Sequence, residues 1–559
     1  MFLGFTLVVV IFVLIFVLHF AFSKLSFIPK QYSISHKLAL NLAVGLIVAV
    51  GLIPFQEYLG MGDLEDASLD LAMQADNEIP PITAKEIPSF AFLDIDNQTY
   101  KLWEEPLYIP GTKIKELIAV AVNEKARLII VDVDLSRNPD DKELKEYIAG
   151  YKDYCQEKTC PPIILDRAFR SLSDSLAAGK KPILVEPRTG FLEDAVVKSA
   201  PYIQWATPLF QKSSYDGAVR RWKLWEHICT PKEEADVIPA TQLLAAAMIR
   251  FDTPQPASDK INAELARFKR KVCGDEHIAK PTLAKPIKIA EGLEFTGGIH
   301  RVFQRIMYHL RWNPPQSIAD EWVMRYSLRD SGNGDSPSKL ILTVFSAQPY
   351  LDSPKISAGS KLENKIVLIG SSYSDGDNLH STPLGIIPSG LVIINAIHSL
   401  LQYGEIQPPS NWYKLLWLIL LVVLIVAVTF IFDSFDNSFL IIVISGMVVV
   451  ALIPVTVYLF ANSFWVSFVL PLLGVHVSQV MVDYQRFNLQ KIDLKQMLAE
   501  ECSAQFGKEA GQLFAEQMKE IMMGKLLSDT MSKYDETTAD IAGMKVSPAK
   551  ESGNKKETE

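Results

Sequence analysis

The sequence predicts an α/β fold, a mostly parallel sheet with helices on both faces, in one large domain bounded by about five transmembrane helices and followed by a cytoplasmic amphipathic helix. Three observations predict it. Long uncharged apolar runs crowd both ends of the 559-residue chain. Between them the pattern changes to short apolar strands alternating with amphipathic stretches. Several of those strands end in carboxylates, as in Leu93-Asp94-Ile95-Asp96 and Val131-Asp132-Val133-Asp134. The 49% hydrophobic content and a mean hydropathy of +0.15 come mainly from the ends. A net charge of -9, with no basic stripe interleaved with aromatics, argues against nucleic acid as a partner.

Residues 1–57 hold two of the apolar runs, 2–22 and 38–54. At 1.5 Å per helical residue each approaches the roughly 30 Å of a bilayer core. Ala21-Phe22-Ser23 resembles a signal-peptide cleavage site, but no basic residue precedes the first run, so it reads as a retained span. Lys24, Lys30 and Lys37 lie between the runs, whereas Glu57, Asp63, Glu65 and Asp66 follow the second. Lys and Arg collect on the cytoplasmic side, which puts the N-terminus and the large domain outside.

Residues 58–409 form that outer domain. A strand at 90–96, a helix at 112–125 and a strand at 127–134 read as a right-handed crossover that joins a parallel pair. A helix at 166–178 leads to a strand at 182–186, and a late strand at 365–369 runs into Gly370-Ser371-Ser372, where Gly370 reads as a tight turn. Three more apolar runs, 412–432, 439–460 and 464–481, make residues 410–482 a membrane segment, with Trp412, Trp417, Tyr458 and Trp465 near the run ends. Three crossings from outside finish inside, and Arg486, Lys491 and Lys495 agree with that. Residues 483–535 then carry an apolar stripe whose Leu494, Leu498, Phe506, Phe514 and Ile521 are the candidate partner-binding residues, and 536–559 reads as a polar, disordered tail.

Parallel strands gather their carboxyl ends at one edge, where open α/β sheets bind ligands. The expected edge residues are Asp94, Asp96, Asp132, Asp134, Glu186, Ser371 and Ser372. Such a cluster suits a hard divalent cation or a ligand's amine and hydroxyl groups. The plain alternative is that these residues cap helices or pair with Arg137 and Arg188. His380, beside Asp377 and Pro383, is a further candidate, although a lone histidine in a loop is usually structural. The Gly-x-Ser-x-Gly spacing is absent around Ser371, so hydrolytic chemistry is not expected, and neither is any enzyme activity or cofactor.

Four of the five cysteines, Cys155, Cys160, Cys229 and Cys273, fall in the outer domain. Disulfides in an oxidising compartment are expected, with Cys502 left reduced inside. Four thiols allow three pairings; Cys155 with Cys160 and Cys229 with Cys273 is the expected one.

The order of Leu93-Asp94-Ile95-Asp96, Val131-Asp132-Val133-Asp134, Tyr215-Asp216-Gly217-Ala218-Val219-Arg220-Arg221, Lys365-Ile366-Val367-Leu368-Ile369-Gly370-Ser371-Ser372 and Leu379-His380-Ser381-Thr382-Pro383-Leu384-Gly385, followed by three spans, resembles the second type of CHASE domain. The resemblance covers about residues 90–403. It implies an extracytoplasmic sensory module of a bacterial signalling protein, a multi-pass protein of the inner (plasma) membrane with its main domain in the periplasm. Two features depart from the family pattern: a second N-terminal span, and no recognisable catalytic output domain after the last span. The expected function is therefore a receptor that signals to a separate effector through its cytoplasmic helix. A structural subunit of an envelope assembly is the alternative. The expected partners are the membrane, other proteins of a cytoplasmic or envelope complex, and a second copy of the chain.

Overall fold

The computed structural model describes residues 87–135, 141–156, 160–171, 185–187, 191–229, 234–251, 253–269, 286–295, 303–314, 321–327, 338–352, 361–376 and 378–405, together with Asp66, Leu69, Asp70, Met73 and Gln74 and seven residues between 494 and 504. All five predicted spans lie outside the described residues. Among the described residues no helix is long and apolar enough to cross a membrane.

A seven-stranded sheet organises the outer domain. Its members are β1 (Phe90–Ile95), β2 (Leu128–Val131), β3 (Ile163–Asp166), β6 (Ile203–Ala206), β14 (Glu321–Ser327), β15 (Ser338–Ser346) and β16 (Ile366–Ser371), in the order β14-β15-β1-β16-β2-β3-β6. Every pairing is parallel except β14 with β15 at one edge. The central strands are apolar on both sides because both faces are covered. Phe90, Phe92, Leu128, Ile130, Leu342 and Leu368 pack on one face, and Ala91, Leu93, Ile129, Val131, Val367 and Ile369 on the other.

Helices α2 (Gly111–Asn123), α3 (Lys142–Gln156), α4 (Glu193–Ser199) and α7 (Gln348–Asp352) cover the second face. The first face takes α5 (Thr241–Arg250), α6 (Pro254–Leu265) and α8 (Ser389–Tyr403). Helix α8 is buried from Ser389 to Gln402, which fits a sequence that is apolar over most of its length. It lies close to the sheet because position 390 is glycine: a Cβ there would fall 2.5 Å from Leu368 and 2.9 Å from Phe92. The short α1 (Asn97–Leu102) follows β1.

Smaller sheets surround this core. β4 (Phe169–Ser171), β5 (Val185–Pro187), β9 (Trp225–Cys229) and β10 (Ala235–Pro239) form one. β7 (Phe210–Lys212), β8 (Val219–Lys223) and β13 (Phe303–Arg305) form another, and β11 (Ile287–Ala290) with β12 (Leu293–Phe295) and β17 (Leu379–Thr382) with β18 (Gly385–Pro388) make two hairpins.

Four expectations need correction. The predicted helix at 166–178 begins instead as β3 and β4, because Pro161-Pro162-Ile163-Ile164-Leu165-Asp166 is a buried strand of the same apolar-then-acidic type as β1. The strand carrying Glu186 is not in the main sheet; β5 pairs with β4 and β9. β1 and β2 are parallel but not adjacent, since β16 inserts between them. Gly370 is not in a turn: β16 continues through it, and Phe92 and Leu368 close the space a side chain would need.

The Cys155–Cys160 disulfide is present, with Cα atoms 5.4 Å apart. Cys229 is also disulfide-bonded, while its expected partner Cys273 lies outside the described residues. Leu494, Met497 and Leu498 belong to a second compact unit and are helical, with Leu494 and Met497 exposed. Phe506, Phe514 and Ile521 lie outside the described residues.

Candidate functional site

The carboxyl ends of β1, β16, β2 and β3 bring Asp94, Ser371, Asp132 and Asp166 to one edge of the sheet. Register fixes their neighbours: Asp94 stands opposite Ser346 on β15 and Gly370 on β16, and Ile95 opposite Ser371. Asp94 is fully buried and accepts from Ser372 Oγ at 2.6 Å through one oxygen, while its Oδ1 has no partner. Burial pushes this carboxyl well above the usual range, and Asp96 adds to the rise; the Ser372 bonds offset only part of it.

Asp132 follows β2 and is hydrogen-bonded by Ser389, the first residue of α8. Its other oxygen, Oδ2, has no partner, and burial raises its pKa to about 6. Asp166 ends β3, is bonded by Thr207, and keeps Oδ1 without a partner. Burial, then the charges of Asp132 and Asp134, hold its carboxyl well above the usual range.

Asp96 does something simpler. It caps α1, accepting from Thr99 N at 2.7 Å. Ser371 is buried and accepts from Asn378 Nδ2, which ties the β17 hairpin to this edge. His380 lies on that hairpin with its ring edge-on to Phe210 at 5.3 Å. Burial and the charge of Lys212 lower its pKa to about 4, so it is neutral at physiological pH. The structure therefore gathers Asp94, Asp96, Asp132, Asp134, Ser371 and Ser372, and separates Glu186 from them by placing its strand in another sheet. Sequence reasoning missed Asp166, Ser389 and Thr207. Only Asp166 carried a readable signal, an apolar run ending in Asp.

Chemically, this edge offers carboxyl groups that hold their protons more tightly than exposed ones and carbonyl-type oxygens lacking donors. It suits a ligand that brings hydrogen-bond donors or positive charge. Among the described residues no group of three or more His, Cys, Asp or Glu side chains is placed to hold a metal ion.

A second polar cluster lies elsewhere. Asp66 receives paired bonds from Arg221 at 2.7 and 2.8 Å and also meets Arg305; Asp70 and Asp216 both bind Arg220, each at 2.6 Å. Three arginines on β8 and β13 thus hold Asp66 and Asp70, both of which are helical.

Comparison with curated proteins and with solved structures found no match. The profile of the CHASE2 domain matches residues 43–428, about two thirds of the chain, reaching beyond both ends of the sheet. With this match over the three-layer domain and its acidic edge, the chain belongs to the CHASE2 family of extracytoplasmic sensory domains.

Proposed function

We propose that this protein is a membrane-anchored sensor whose CHASE2 domain responds to a ligand at the acidic edge and signals to a separate cytoplasmic effector. The observation that carries the reading is three buried carboxyl groups, Asp94, Asp132 and Asp166, each with an oxygen lacking a partner, at the edge where parallel sheets receive ligands. A ligand that supplied donors to them would favour the conformation it binds, which is what a receptor requires. The signal would leave through α8, which runs from Asp132 at this edge to Tyr403, nine residues before the span predicted to start at Trp412.

The test is a thermal-shift panel of Ca²⁺, Mg²⁺, spermidine and small polyols on the full chain in detergent. One class is expected to raise the melting temperature of the wild type and to lose that effect in Asp94→Asn/Asp132→Asn. If none raises it, the edge returns to a structural role. Truncation after Gln490 should leave the shift intact and remove the co-purifying effector.

A structural subunit of an envelope assembly is the second reading. It is favoured by an exposed apolar loop on the domain.

A further inference from the structure

Between α1 and α2 the chain makes a short loop that keeps apolar side chains in water. Leu102 is 57% exposed, Leu107 86% and Tyr108 45%. An isolated exposed leucine needs no explanation, but three large apolar groups within seven residues make a patch.

The loop is built to stay in place. Trp103 Nε1 donates to Gln348 Oε1 at 2.8 Å, Tyr100 OH donates to the Pro106 carbonyl at 3.2 Å, and the Tyr100 ring stacks on Tyr373 at 4.0 Å. Backbone bonds from Glu104 N to Lys101 O and from Glu105 N to Tyr100 O tighten it further. Glu104 and Glu105 are both held at positive φ, 66° and 50°. Non-glycine residues avoid that region, and a fold that keeps two in succession there is holding the loop in one shape against local preference. A pre-ordered apolar loop gives up little entropy on binding, which is how docking surfaces are made.

The charge around it indicates the partner. Glu104 and Glu105 are exposed and form no ion pair among the described residues. Asp352 accepts from Gln348, the residue that anchors Trp103, and Asp375 lies close enough to Tyr373 to raise that phenol's pKa, after the larger effect of burial and that of Tyr100. A second copy of a chain with net charge -9 is poorly matched to such a rim. A membrane is poorly matched too, since bacterial lipid surfaces are anionic and the loop follows the carboxyl end of β1. The chain leaves the domain at the other edge, where Leu401 near the end of α8 meets Arg250, and Arg127, which precedes β2, reaches Ile249.

We propose that the loop from Leu102 to Tyr108 is a docking surface for a second extracytoplasmic protein, one that presents lysine or arginine side chains around an apolar ridge. Apolar contact at Leu107 and Tyr108 gives the affinity, and the carboxylates around them select a basic partner and speed its approach. Docking here serves a sensor and a scaffold equally.

The test selects displayed random 12-residue peptides on the full chain in phosphatidylcholine nanodiscs. The expected winners combine Lys or Arg with aliphatic or aromatic residues and bind more weakly as salt rises. Their affinity should fall at least tenfold in Leu107→Asp and in Glu104→Lys/Glu105→Lys, and stay unchanged in Val197→Asp, another exposed apolar site, on α4. Leu107 is exposed, so Leu107→Asp should keep the wild-type melting temperature; Tyr108→Ser replaces it if it does not. Four results overturn the proposal: no enrichment over Leu107→Asp, enrichment of acidic peptides, a wild-type dimer that Leu107→Asp makes monomeric, or binding to phosphatidylglycerol vesicles that Leu107→Asp abolishes.

Discussion

Asp132 shows how one residue ties the acidic edge to solution pH. An exposed aspartate has a pKa of about 3.9, whereas burial raises that of Asp132 to about 6. Between those values the folded chain keeps a proton that the unfolded chain has lost, so stability falls as pH rises through the window and the loss is complete above it. Asp94 and Asp166 are shifted in the same direction and extend the effect upward. Asp132→Asn keeps an acceptor for Ser389 and removes the charge. Its melting temperature at neutral pH should exceed that of the wild type, and the fall between about pH 4 and about pH 6 should shrink. An unchanged slope would mean that Asp132 ionises as freely in the folded chain as in the unfolded one. Asp94 and Asp132 were legible in the sequence because each ends an apolar strand. Their lone oxygens and the Ser389 contact were not, since these depend on how α8 approaches the sheet.

At the scale of elements, the arginines of β8 and β13 decide whether Asp66 and Asp70 stay attached to the domain. The Asp66 side chain is 6% exposed and Arg305 11%. Removing Asp66 leaves the buried Arg305 guanidinium with only a 3.8 Å contact to Asp70, a loss on the order of 3–5 kcal/mol. Asp216, whose side chain is 36% exposed, has a partner, Arg220, that keeps Asp70. Losing Asp216 should cost at most about 1 kcal/mol. Chemical denaturation of Asp66→Ala and Asp216→Ala, followed by tryptophan fluorescence, measures the difference; equal losses would remove the clamp from the account. Sequence reasoning used Asp66 only as a charge near a membrane, because its partner Arg221 is 155 positions away and no local pattern joins them. β1, β2 and β16 were legible for the opposite reason: each is a short apolar run whose neighbours in the chain already signal its ends. β5 looked the same, but its sheet is chosen by β9, which lies about forty residues later.

At the scale of the whole molecule, the disulfides and the charges in the sequence address the same question of sidedness. The Cys155–Cys160 bond belongs to an oxidising compartment, and Cys229 is bonded as well. If Cys273 is its partner, Cys502 is the single free thiol of the five. By the positive-inside rule, Lys24, Lys30 and Lys37, and Arg486, Lys491 and Lys495 beyond the last predicted span, lead us to expect both of their segments in the cytoplasm. On that topology Cys502, seven positions beyond Lys495 in the sequence, is expected inside. Val197 on α4 is 69% exposed on the outer domain and offers a second reporter. In spheroplasts a membrane-impermeant maleimide should label Val197→Cys and leave Cys502 untouched until the cells are lysed. Labelling of Cys502 in intact spheroplasts, or protection of Val197→Cys, would invert the topology. It would also place the acidic edge and the Leu107 loop in the cytoplasm, where neither an extracytoplasmic ligand nor an extracytoplasmic partner could reach them.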